Sequence, residues 1–160
     1  PFAVIVAKIA GIGDITKQGS GNPGATNMAR IGGKKLGFIT FLLDFLKGFI
    51  AAYIFGVWGG VAAILGHCFS IFLKFKGGKG VATTLGAYFG LSLQFGLLAS
   101  GFWLIGYGLF GISAVAALIS VNLIMFIAPY YFPAYKEMAV FLSILITWRH
   151  NSNIKKLLGL

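Results

Sequence analysis

Acidic side chains are the scarcest polar feature of this 160-residue sequence, with Asp14, Asp44 and Glu137 set against 13 lysines and arginines. Two histidines, His67 and His150, are too few to form a metal centre without acidic or thiolate neighbours, so no metal is expected. Cys68 is the single cysteine, which excludes an intrachain disulfide and leaves the redox compartment undetermined. Charge of any kind is sparse: 10% of residues are charged, where soluble domains carry about a quarter. That is too little polar surface to cover a water-soluble globule. There is no strand-like alternation, no long-period repeat and no cleavable signal pattern.

What is present is oil. The chain is 58% hydrophobic with a mean hydropathy of +0.91, and its apolar runs are long and closely spaced. A bilayer, which needs roughly 17–25 apolar residues per spanning helix, is the environment that fits. The expected fold is all-α, a polytopic membrane helix bundle of seven transmembrane helices in a single domain spanning 1–160. The segments run from Pro1 to about Ile12, Leu36 to Val57, Gly60 to Leu73, Gly80 to Phe89, Leu97 to Phe110, Ser113 to Ile127 and Met138 to Trp148. Pro1 is not an initiator methionine and the chain opens inside an apolar run, so the first helix is expected to be truncated.

The net charge of +10 is grouped between the apolar runs rather than gathered in one tail. Numbering the connections alternately puts Lys17, Arg30, Lys34 and Lys35 on the same side as Lys74, Lys76 and Lys79 and as Arg149, Lys155 and Lys156. The opposite connections, "GVWGG", "GLSLQFG" and "APYYFPAYK", contribute only Lys136. The positive-inside rule places the first group in the cytoplasm, with Tyr130, Tyr131 and Tyr135 in the outer interfacial belt. This pattern points to an anionic lipid surface or an anionic substrate, not to nucleic acid.

Three polar, glycine-bearing segments share that cytoplasmic face and can converge on one anionic pocket. In "GSGNPGATN", Gly19 to Asn27, glycines expose backbone N–H groups, Ser20, Asn22, Thr26 and Asn27 add small polar groups, and Arg30 adds a forked cation suited to phosphate oxygens. In "FKGGKGVATTLG", Phe75 to Gly86, glycines bracket Lys79 just before an apolar helix, and a helix N-terminus with a lysine attracts anions. Gly80, not Ser or Thr, follows that lysine, so this is not a nucleotide-hydrolysing P-loop. In "WRHNSNIKKLLG", Trp148 to Gly159, His150 and Asn153 share a helix face, while Lys155 and Lys156 suit the lipid surface. Asp44 and Lys47, three apart in an apolar run, are expected to form a structural ion pair, and His67 to be a satisfied structural group.

"GSGNPGATN" with Arg30, "DFLKG" from Asp44, "GHCFSIFLKFKGGKGVAT" from Gly66 and "RHNSNI" from Arg149 resemble the ordered motifs of the bacterial acyl-phosphate:glycerol-3-phosphate acyltransferases of the PlsY type. The resemblance runs along the whole chain. It implies a multi-pass enzyme of the bacterial inner membrane with its active site facing the cytoplasm, no cofactor and no obligatory protein partner. It also implies transfer of a fatty acyl group from acyl phosphate to the 1-hydroxyl of glycerol 3-phosphate, giving lysophosphatidic acid and inorganic phosphate.

Carried over motif by motif, Lys79, His150 and Asn153 take catalytic roles. Ser20, Asn22, Thr26, Asn27, Arg30, Lys79, His150 and Asn153 hold glycerol 3-phosphate. Gly77, Gly78, Lys79, Gly80 and Thr83 cradle the acyl phosphate. The tail ends at "LLGL", where the family continues with a glutamate.

Neither histidine starts an H-x-x-x-x-D motif: Phe72 follows His67 and Lys155 follows His150 at the required place. No Ser–His–Asp pattern is present either. A direct attack by the substrate hydroxyl, without a protein nucleophile, is therefore the expected mechanism, with His150 as general base the competitor. A small transporter or channel for an organic phosphate would share the basic mouth, but it would favour related halves and broken helices at mid-bilayer. Neither is seen.

Overall fold

The longest helical element, Ala25–Cys68, has 44 residues and would extend roughly 66 Å if straight, about twice the apolar thickness of a bilayer. It is folded instead. In the computed structural model, which describes residues 1–160, this helix breaks its dihedrals at Gly33 (φ 85°, ψ 168°) and at Gly56 (φ 63°, ψ −151°). Both values lie where only glycine is comfortable. Residues eight apart in a straight helix are separated by about 12 Å. Here a Cβ on Gly59 would meet the Ala51 carbonyl, and one on Gly37 would meet Ala29. The chain therefore doubles back at both glycines.

The elements in order are α1 (Phe2–Ile9), α2 (Ala25–Cys68), α3 (Val81–Leu91), α4 (Leu93–Phe110), α5 (Ser113–Tyr131), α6 (Lys136–Arg149) and α7 (Asn151–Leu157). Single 3-10 turns lie at Ile15–Lys17, Ile71–Leu73 and Pro133–Tyr135, and there is no strand. The expected second and third helices are the stretches of α2 on either side of Gly56. Two expectations are corrected. Residues 25–32, read as loop, are helical, so Thr26, Asn27 and Arg30 stand on a short helix folded back at Gly33. "GLSLQFG" is not a loop either: Ser92 alone separates α3 from α4, and its hydroxyl caps α4 by accepting from the Phe95 N–H. The tail after Arg149 is helical as α7, in keeping with the shared helix face of His150 and Asn153.

By length and composition α2, α4 and α5 can each cross a membrane. Their large side chains point outward, as at Trp58, Leu104 and Phe126, where a lipid-facing surface belongs. Association in lipid relies on close packing of small residues. A Cβ on Gly48 would strike the Thr83 carbonyl, one on Gly86 the Phe45 carbonyl, and one on Gly90 the Phe49 carbonyl. These approaches lay α3 alongside the 34–55 stretch of α2 in the same direction. Polar contacts tie the rest: the Ser120 hydroxyl donates to the Ala99 carbonyl at 2.7 Å, and Asn122 on α5 bridges Ser143 and Thr147 on antiparallel α6. Phe95, buried against Tyr88, Phe132 and Tyr135, closes the end of the bundle away from the basic segments.

Candidate functional site

The segment between α2 and α3 is closed by two backbone bonds: the Gly78 N–H donates to the His67 carbonyl and the Gly77 N–H to the Cys68 carbonyl, each at 3.1 Å. Three glycines serve here for different reasons. A Cβ on Gly77 would run into the His67 carbonyl, and one on Gly78 into the His67 ring. Gly80 takes φ +85° to turn the chain into α3, whose N-terminus no side chain caps. Its first-turn N–H groups therefore remain available to an anion. Gly77, Gly78 and Gly80 are buried while Lys74, Phe75 and Lys76 are exposed, so the loop is recessed into this end of the bundle.

Arg149 reaches in from the end of α6. Its guanidinium donates to the Gly77 carbonyl at 2.8 Å and to the Gly78 carbonyl at 3.1 Å, and its plane lies over Phe69 and Trp148. Lys79, the next residue, bonds through its ammonium to the Asn153 side-chain oxygen on α7. Burial, with Arg149 nearby, moves the Lys79 ammonium below its ordinary value. Burial pushes His150 down to about 4; Lys79 and Arg149 act the same way, and the bond to the Ile146 carbonyl opposes them. His150 is thus neutral at pH 7. Its Nδ1–H donates to the Ile146 carbonyl at 2.8 Å, leaving Nε2 as an acceptor.

The first segment is organised around Asn27, which is 1% exposed. Its oxygen accepts from the Ser20 N–H at 2.9 Å and from the Arg30 guanidinium at 3.1 Å, while its amide donates to the Gln18 carbonyl at 3.0 Å. The Asn27 side chain is therefore committed to shaping the loop, whereas the Ser20 hydroxyl and most of Arg30 face outward. Thr26 reaches Ser113 at the start of α5 at 3.4 Å. α5 runs antiparallel to α6, so that contact puts the first segment at the same end of the bundle as Arg149 and Lys79.

The structure thus joins the second and third segments directly, through Arg149 and through Lys79 with Asn153. It brings the first to the same end without a hydrogen bond from Ser20, Asn22 or Arg30 to Lys79, His150 or Asn153. Thr83 faces inward, 3.4 Å from His67. The ion pair expected between Asp44 and Lys47 is present.

Sequence reasoning missed Arg149 as a site residue. The signal was its place beside His150, but a terminal arginine also satisfies the positive-inside rule. It also missed that Asp44, Lys47 and His67 meet beneath the loop. Chemically, the end of the bundle gathers cations and free N–H groups around a recess without a free carboxylate. That arrangement suits a phosphate or phosphate ester.

The family model described as glycerol-3-phosphate acyltransferase matches residues 1–159. A glycerol-3-phosphate acyltransferase of Mesorhizobium japonicum is 44% identical over 168 residues, covering 99% of this chain and 86% of that protein. One of Erythrobacter litoralis is 40% identical, covering 99% of this chain and 84% of that protein. Among solved structures, the glycerol 3-phosphate form of PlsY (YgiH), an integral membrane glycerol 3-phosphate acyltransferase, aligns with a TM-score of 0.89 at 36% identity, over 99% of this chain and 84% of that one. The lysophosphatidic acid form of the same protein aligns with a TM-score of 0.87 at 37% identity, again over 99% and 84%.

Proposed function

The chain belongs to the glycerol-3-phosphate acyltransferase family, an integral membrane enzyme family by its solved relative, and from that premise we propose that it transfers a fatty acyl group from acyl phosphate to the 1-hydroxyl of glycerol 3-phosphate. The products are lysophosphatidic acid and inorganic phosphate. The observation that carries this reading is the recessed Gly77–Gly80 loop. It presents Lys79 and an uncapped helix N-terminus together, with Asn153 and the acceptor nitrogen of neutral His150 beside them.

In this reading Gly77, Gly78, Lys79, Gly80 and Thr83 hold the phosphate of the donor. Ser20, Asn22, Thr26 and Arg30 bind glycerol 3-phosphate with Lys79, His150 and Asn153, and Asn27 sets the loop that carries them. The acceptor oxygen attacks the acyl carbon and the bond from that carbon to the bridging phosphate oxygen breaks. The phosphate leaves with the electron pair and takes the hydroxyl proton. Acyl phosphate already carries a good leaving group, so no protein nucleophile is needed. Positioning and cation stabilisation of the developing charge supply the catalysis. A histidine held down to about 4 is a poor proton acceptor at neutral pH, which favours a binding role for His150 over a general base. The basic segments then face the cytoplasm of a bacterial inner membrane.

The test is phosphate release by the protein in lipid with acyl phosphate, glycerol 3-phosphate being added or omitted, and lysophosphatidic acid followed by mass spectrometry. Both products are expected only with both substrates, and neither in Lys79→Ala. An absence of turnover in folded protein would overturn the proposal. His150→Gln is expected to keep most of its kcat; a collapse of kcat would restore the general-base role.

A further inference from the structure

Beneath the Gly77–Gly80 loop lies an ionic cluster that the reaction as described does not use. Asp44 is 1% exposed. It accepts from the Phe2 N–H at 3.1 Å, pairs with Lys47, and lies 3.3 Å from His67 Nδ1. That nitrogen is also 2.6 Å from the Lys47 ammonium and 3.4 Å from the Thr83 hydroxyl. The other edge of the ring, Nε2 with Cδ2 and Cε1, fills the space a Cβ on Gly78 would need. The His67 carbonyl meanwhile accepts the Gly78 N–H. His67 thus braces Gly78 with both backbone and ring.

We infer that Asp44 and His67 are positioning residues: the carboxylate holds the Lys47 ammonium against His67 Nδ1, the imidazole so fixed sets Gly78, and Gly78 sets where the Lys79 ammonium stands. This rests on the reading of the loop as the phosphoryl site. Helix adhesion does not explain the cluster. Gly48 already seats α2 against the Thr83 carbonyl, and well-packed apolar residues replace buried ion pairs at little or no cost. Ionisable groups within a membrane bundle mark functional positions, and this set occurs at the level where the loop enters.

The experiment uses the full chain in lipid, with rates referred to folded, monodisperse protein. Asn at position 67 keeps a polar atom where Nδ1 stood but removes the ring edge. His67→Asn and Asp44→Asn are each expected to raise KM for acyl phosphate about tenfold or more, by a larger factor than KM for glycerol 3-phosphate. Gly78→Ala is expected to lose activity because its methyl displaces the ring. In the double variant His67→Asn/Gly78→Ala, the smaller side chain makes room and activity is expected to recover above that of Gly78→Ala alone.

Losses that add in the double variant, or KM values unchanged in both His67→Asn and Asp44→Asn, would overturn the inference. Lys79→Ala separates the two readings. If it retains activity, the loop is not the phosphoryl site; if it is inactive while His67→Asn and Asp44→Asn behave as wild type, only the positioning role fails.

Discussion

Residues 17–30 and residues 76–80 are both basic and glycine-rich, and both stand at one end of the bundle, yet they are held by different means. The first closes on itself: the Asn27 side chain ties Ser20, Gln18 and Arg30, and its hydrogen-bonded link to the helical bundle beyond is Thr26 to Ser113. The second is held from outside, by the His67 and Cys68 carbonyls, by Arg149 and by Asn153. A segment fixed by several elements keeps its geometry while the bundle is intact. The first segment, fixed by its own Asn27, by Met28 packed on α1 and by Ala29 against Gly37, keeps its shape independently of the second.

The largest contrast comes from glycine. Gly77→Ala would force a methyl against the His67 carbonyl and the Cys68 backbone, neither of which can give way. Activity is expected to fall by about 100-fold or more, since displacements on the order of 1 Å near the chemistry have that effect. Gly24→Ala would meet only the Asn22 amide, the end of a side chain free to turn, so its kcat should stay close to wild type and its cost should be confined to KM for glycerol 3-phosphate. Equal losses in a turnover assay would erase the distinction between the two segments.

Next in size is Asn27→Ala. It leaves several groups without partners, each costing about 1–3 kcal/mol where buried. Because the segment is locally tied, the damage should appear as a raised KM for glycerol 3-phosphate, with little change in KM for acyl phosphate. A matching rise in both constants would mean that the segments are mechanically coupled. Arg149→Lys sharpens the same comparison from the other side. A lysine cannot donate to two carbonyls in the fork geometry of a guanidinium, so a several-fold loss, roughly 1 kcal/mol, is expected in kcat/KM for the donor.

The legibility of the two segments differed for physical reasons. Apolar runs announced the helices, and the face-by-face grouping of cations announced which segments share an end. Residues 25–32 read as loop because Asn22, Pro23 and Gly24 stand just before them and Gly32 and Gly33 end them, and only the fold at Gly33 makes the short helix stable against Gly37. Lys79 and Asn153 were marked by glycine and helical spacing, but their meeting across 74 residues was not. The Asp44–His67 approach was hidden for the same reason: it depends on the reversal at Gly56, and a glycine among apolar residues does not reveal its φ.

The smallest effect concerns His150, which belongs to the braced side. In the unfolded chain it should titrate near its ordinary 6.5, but in the fold it is held down to about 4. Between those values the unfolded chain binds a proton that the folded chain refuses. Stability therefore falls as pH drops from about 6.5 to about 4 and is unaffected by this group above that range. The slope is expected in the thermal midpoint of the protein in lipid and should be flatter in His150→Gln. Glycerol 3-phosphate brings negative charge to the same recess and should raise the His150 pKa, so its presence should narrow the window from the acid side. An identical slope in the variant would show that acid lability comes from another group, and that the burial of His150 is relieved before the bundle opens.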